Sequence, residues 1–106
     1  PFCRAAFPWD NTDDDLLRFY KALGTIRRQS KVFCSGEFIP VYVNFGEIAY
    51  IRKKCESQLL IAASRWHDYT QITLPKEFKN AKCLLGISNK GETLNLPPYG
   101  FSVLQI

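Results

Sequence analysis

The chain's one histidine, His67, stands beside a carboxylate in Arg65-Trp66-His67-Asp68-Tyr69. A carboxylate that holds an imidazole makes a general base. Side chains of successive residues in a strand or loop point apart, however, so the pair reads as part of a turn. No second histidine and no nearby cysteine supplies the ligand spacing of a metal site. The run Asp13-Asp14-Asp15 is the densest group of carboxylates. Two carboxylates flanking a bond can hydrolyse a glycoside, but three at the start of a helix are explained by the positive end of its dipole. The chain has no G-x-S-x-G, no glycine-rich phosphate loop and no H-E-x-x-H. What remains is recognition chemistry. Aromatic residues make up 14% of the chain, and Trp9, Trp66, Tyr69 and Tyr99 are rings that could stack on flat ligand faces such as those of sugars. The same rings could equally fill a small core. No catalytic residue and no cofactor is expected within these 106 residues.

Charge and cysteine placement narrow the setting. Net charge is +4, but the basic residues are scattered: Arg27, Arg28 and Lys31 follow one another at a helix end, Arg52 to Lys54 close a strand, and Lys76, Lys79, Lys82 and Lys90 lie in or near loops. A nucleic-acid partner needs a basic stripe, so none is expected. The longest apolar run, Leu59-Leu60-Ile61-Ala62-Ala63, is far shorter than the roughly 20 residues of a membrane span, and no membrane partner is expected. Cys3, Cys34, Cys55 and Cys83 are widely spaced with no C-x-x-C pair. They read as free thiols behaving as small hydrophobes, with a disulfide scaffold as the alternative. Free thiols favour a cytoplasmic chain over an extracellular one.

The elements that must carry these residues follow from hydrophobic period. Leu16, Phe19, Tyr20, Leu23, Ile26 and Arg27 recur at helical spacing and predict one amphipathic helix over 12–28. Thr12 followed by Asp15 approximates a capping box. The early aspartates and late arginines complement the dipole. Gly24 inside the helix costs about 1 kcal/mol against Ala, which a close approach of a neighbour would explain. From residue 36 the period becomes two. Strands are predicted over 38–43, 48–52, 57–64, 69–74, 81–87, 92–96 and 99–106, with Ser88-Asn89-Lys90-Gly91 as a hairpin tip. Short strands at regular intervals imply a mainly β fold, an antiparallel β-sandwich of Greek-key type with about six to eight strands, preceded by the one α-helix.

The opening segment Pro1 to Asp10 is loop-like and rich in aromatic rings, and the chain contains no methionine. The expectation is a piece of a longer protein. Cys3-Arg4-Ala5-Ala6-Phe7-Pro8-Trp9-Asp10, with Asp15-Leu16-Leu17-Arg18-Phe19-Tyr20-Lys21-Ala22-Leu23 and Ile26-Arg27, resembles the end of the catalytic barrel in α-amylase-family glycoside hydrolases, closest to the neopullulanase and cyclomaltodextrinase branch. Leu96-Pro97-Pro98-Tyr99-Gly100-Phe101 resembles the closing strand of that family's C-terminal sandwich. The chain departs from the pattern at Thr25, where the family has Leu, and at Ser64-Arg65, where it has Asn-Arg.

The resemblance implies that residues 1–30 are the last loop and helix of a (β/α)₈ barrel and 31–106 a C-terminal β-sandwich domain. The family's catalytic carboxylates would then lie on barrel strands outside this chain. It places Arg4 near the sugar-binding subsites as a substrate contact. The implied role is a non-catalytic domain that stabilises a starch-, maltodextrin- or pullulan-degrading parent, with the parent barrel as partner, α-glucan reached through it, and a homodimer through the exposed helix face as a further expectation. The alternative is a carbohydrate-binding module that holds α-glucan on exposed rings, Trp66 first among them and Tyr69 beside it.

Overall fold

The computed structural model of the chain describes residues 14–106, apart from the Cys34 side chain. The expectations for Cys3, Arg4, Trp9, Thr12 and Asp13 concern residues outside the described ones. Two helices lead the described chain: α1 (Asp14–Gln29) and a single turn, α2 (Val32–Ser35). Seven strands follow: β1 (Glu37–Val43), β2 (Glu47–Lys54), β3 (Ser57–Ser64), β4 (Thr70–Thr73), β5 (Lys82–Gly86), β6 (Thr93–Leu96) and β7 (Phe101–Gln105). A 3₁₀ turn at Lys76–Phe78 joins β4 to β5. Among the described residues no helix is long and apolar enough to cross a membrane.

The strands form two antiparallel sheets, one of five strands in the order β1-β2-β3-β7-β5 and one of two, β4-β6. The fold is thus a β-sandwich preceded by a helix. Pro40 lies in β1, an edge strand, where its missing N–H leaves no gap in a ladder; the register shifts between Pro40 and Tyr42. The main core lies between the sheets. The large sheet contributes Ala49, Ile51, Leu60, Ala62 and Leu104, and the small one Ile72, Leu94 and Leu96. Phe78, fully buried, anchors the 3₁₀ turn in the same core. In the small sheet the period of two is strict: Thr70 and Ile72 are buried and Gln71 and Thr73 exposed, as a sheet wet on its outer face requires.

The apolar run in β3 is buried on both faces of the large sheet. Leu60 and Ala62 face the small sheet; Leu59 faces the other way and packs with Val32 and Val103. Ile26 of α1 and Phe33 of α2 close this second cluster. The Phe19 ring meets Phe101 of β7 edge to face, with centroids 5.1 Å apart. Arg52 donates to the carbonyl of Gly36 at 3.1 Å and so ties α2 to β2. One side of α1 thereby rests on the sandwich, while Leu16, Leu17 and Tyr20 stay exposed.

Three expectations are corrected. β5 and β6 are not the two arms of a hairpin, since β5 pairs with β7 and β6 with β4. The reason is visible in the side chains. β5 is apolar on both faces, Cys83 toward the main core and Leu84 and Leu85 toward the helices, and joins the large sheet as the edge strand beside β7. β6 alternates Leu94 and Leu96 with exposed Asn95 and suits the outer sheet. The chain crosses between sheets through 87–92, where Asn89 Nδ2 donates to the carbonyls of Gly91 (2.7 Å) and Phe78 (3.0 Å). Gly86, at φ 85°, starts the crossing with a conformation that favours glycine. Second, Gly24 has no close neighbour among the described residues: an added Cβ would meet only Arg28 Nη1, at 3.7 Å. Third, Cys55 is no buried thiol. It is exposed in the β2–β3 turn at φ 55°, whereas Cys83 is half-buried; both are free.

Candidate functional site

Three loops that are distant in sequence meet at one end of the sandwich. The β1–β2 turn closes with Asn44 N–H donating to the Glu47 carbonyl at 2.9 Å. The β3–β4 loop is pinned to it, because Arg65 N–H donates to the Gly46 carbonyl at 2.8 Å. The β6–β7 loop is pinned to the end of β3 and the loop that follows it: Ser64 N–H donates to the Gly100 carbonyl at 2.8 Å and Tyr99 N–H to the Trp66 carbonyl at 3.2 Å. Backbone bonds of this kind fix loops far more firmly than exposed side chains can. Phe45, Trp66, His67, Tyr69 and Tyr99 are carried on those loops.

Local chemistry fixes the rings further. Trp66 lies across Gly46: a Cβ there would sit 3.0 Å from Trp66 Cε3 and 3.2 Å from its Cβ, so the indole occupies the space a side chain would take. The His67 ring packs on the indole at 4.5 Å between centroids. The Arg65 guanidinium lies over the Phe45 ring, 5.1 Å from its centroid, and Nη2 donates to the Phe45 carbonyl at 3.2 Å. Ser64 Oγ accepts the Trp66 N–H at 3.1 Å and so builds a side-chain turn here. Thr70 Oγ1 donates to Glu47 Oε1 at 2.9 Å, while Glu47 Oε2 is buried with no partner among the described residues. A shallow groove of about 260 Å³ runs past Asn44, Phe45, Glu47, Ser64 and Arg65.

The predicted site residues therefore divide. Trp66, Tyr69 and Tyr99 are carried on loops at the same end and are exposed, Tyr69 at 74% and Tyr99 at 69%. Arg4 and Trp9 lie outside the described residues. His67 and Asp68 are no base and orienter, because Asp68 Oδ1 accepts the Tyr69 N–H at 2.8 Å and the imidazole leans on Trp66. No group of three metal-binding side chains occurs among the described residues. Sequence reasoning missed Phe45, the most exposed ring among the described residues at 80%, and Arg65. An aromatic residue at a turn tip, in Asn44-Phe45-Gly46, was the available signal, since a core ring would not be placed there. A larger groove of about 350 Å³ lies at the opposite end of the large sheet, between the α1–α2 corner and the β2–β3 turn. It is lined by Lys31, Lys54, Cys55 and Gln58 among others and has no aromatic wall.

Among solved structures the chain is similar to trehalose-6-phosphate hydrolase of Bacillus licheniformis (20% identity, TM-score 0.69), over 81% of this chain and 17% of that one. It is similar to trehalulose synthase of Pseudomonas mesoacidophila (21% identity, TM-score 0.74), over 83% of this chain and 17% of that one. Isomaltulose synthase of Erwinia rhapontici matches at 22% identity and TM-score 0.73, over 82% of this chain and again 17% of that one. These are α-amylase-family enzymes, and the chain spans about a sixth of their length. No protein-family model matches the chain. No curated protein matches its sequence either.

Proposed function

We propose that the chain is a non-catalytic C-terminal domain of an α-glucan-degrading enzyme of the α-amylase family, acting on starch, maltodextrin or pullulan. Residues 1–30 end the catalytic barrel and 31–106 form the sandwich that stabilises it. The observation that carries this reading is the asymmetry of the fold likeness, which takes in four-fifths of this chain and only 17% of each enzyme. The helix supports it. One side of α1 meets the sandwich through Phe19 and Ile26, and Leu17 and Tyr20 on its other side are 44% and 63% exposed, as a helix shared with a second body would be. A cytoplasmic setting belongs to the proposal and is supported by the free thiols of Cys55 and Cys83.

The purified chain, incubated with maltodextrin and with pullulan, is expected to release no reducing sugar. Turnover abolished by substituting a residue of this chain would overturn the reading, because chemistry would then reside in the sandwich.

A further inference from the structure

We propose that the loop end bearing Trp66 and Tyr99 is a binding platform for an α-linked glucan chain. This rests on the reading of the chain as a domain of an α-glucan-active enzyme. The first argument is backbone conformation. Tyr99 adopts φ 57°, a left-handed geometry that an aromatic residue rarely takes, yet its ring is 69% exposed and so gains little burial in return. Glycine or asparagine would hold that turn at lower cost. Backbone strain at an exposed ring points to a role outside the fold.

The second argument is preorganisation. Trp66 is 39% exposed, and its indole is seated on Gly46 and backed by His67, so ordering it on binding costs little. Tyrosine and tryptophan give large contact area for two rotatable bonds. A pyranose ring has a face of C–H groups and a rim of hydroxyls. The faces suit Trp66, Tyr99, Tyr69 and Phe45; the hydroxyls need donors and acceptors between the rings, and Arg65, Asp68 and Asn44 stand there on the same loops. A chain of sugars suits rings spread over three loops better than one sugar would.

Charge decides against nucleic acid. Arg65 is the only Lys or Arg on these loop segments (44–47, 64–69 and 97–100), its guanidinium is already held by Phe45, and the same segments carry the acidic Glu47 and Asp68. A strand-tracking site needs a positive groove as well as rings.

The test is native electrophoresis of the purified chain in gels cast with amylopectin or with a mixed-linkage β-glucan, backed by titration of tryptophan fluorescence with maltoheptaose. Amylopectin is expected to retard the chain and β-glucan is not. Trp66→Ala should weaken retardation about tenfold or more, the size of an interface hot spot. Tyr99→Gly should weaken it too, while its thermal midpoint stays at or above that of the parent chain, so the loss cannot be ascribed to unfolding. Tyr20→Ala, an exposed ring on α1, should change nothing. No retardation, equal retardation in β-glucan, or retardation untouched by both substitutions each overturns the proposal. None of these results bears on the non-catalytic reading, and sugar release by the chain would sink that reading while leaving the platform standing.

Discussion

Among the described residues two non-glycine residues take positive φ, Cys55 and Tyr99, and the contrast between them is informative. Both are exposed and both carry a backbone cost. Tyr99 stands among rings and polar groups on pinned loops. Cys55 stands at the tip of the β2–β3 turn beside a groove with no aromatic wall. Cys55→Gly is therefore expected to raise stability by about 0.5–1 kcal/mol, with no effect on amylopectin retardation. Chemical denaturation of the two proteins side by side measures this; a loss of stability would mean the thiol makes a contact that its exposure belies. Single residues were the least legible level of the sequence. The cysteines read together as small buried hydrophobes, but Cys55 stands between Lys54 and Glu56, and the Lys54–Ser57 corner turns it outward. Phe45 and Arg65 were hidden for the same reason: their meeting depends on β1–β2 and β3–β4 loops that only the folded sheet brings together.

The elements were read more securely, because hydrophobic period is a local property. The helix and all seven strands lie where the pattern places them, to within a few residues at each end. Pairing was not local and failed once. The polar stretch after β5 carries hairpin residues, yet β5 and β6 enter different sheets because one is apolar on both faces and the other on one. The helix offers a test of the same distinction. Gly24 was explained by close packing, and no neighbour on the described chain needs the space. Gly24→Ala in the isolated chain should thus stabilise α1 by about 1 kcal/mol, the full propensity difference. In the longer enzyme proposed above, a barrel element packed against that side of α1 would be pushed by the added methyl, and the same substitution should lower the thermal midpoint. A stabilising effect of equal size in both proteins would show that nothing packs on Gly24, and would count against α1 as a shared helix.

At the scale of the molecule, the two faces of the large sheet differ. One is sealed by the small sheet over a fully buried core. The other is covered by α1 and α2 above β3, β5 and β7, and its β1–β2 half carries exposed Phe38, stacked on Tyr50 at 4.8 Å, with Val43 and Ile48. Register puts these on the helix side: Ala49 faces the main core, so Ile48 and Tyr50 on either side of it face away. Leu17 and Tyr20 of α1 are exposed as well. Exposed apolar area of this kind is normally covered by another body. If a barrel covers it in the longer protein, the isolated chain has only itself to use. Light scattering across a concentration series is then expected to show reversible self-association of the free chain. Tyr20→Asp with Phe38→Asp should abolish it by placing charges that cannot be desolvated cheaply. Neither Tyr20 nor Phe38 is on the loops that carry Trp66 and Tyr99, so the doubly substituted chain should still be retarded by amylopectin. A parent chain that stays monomeric at high concentration would refute the covered-face account. Loss of retardation in the double variant would mean that self-association, rather than the rings, holds the glucan.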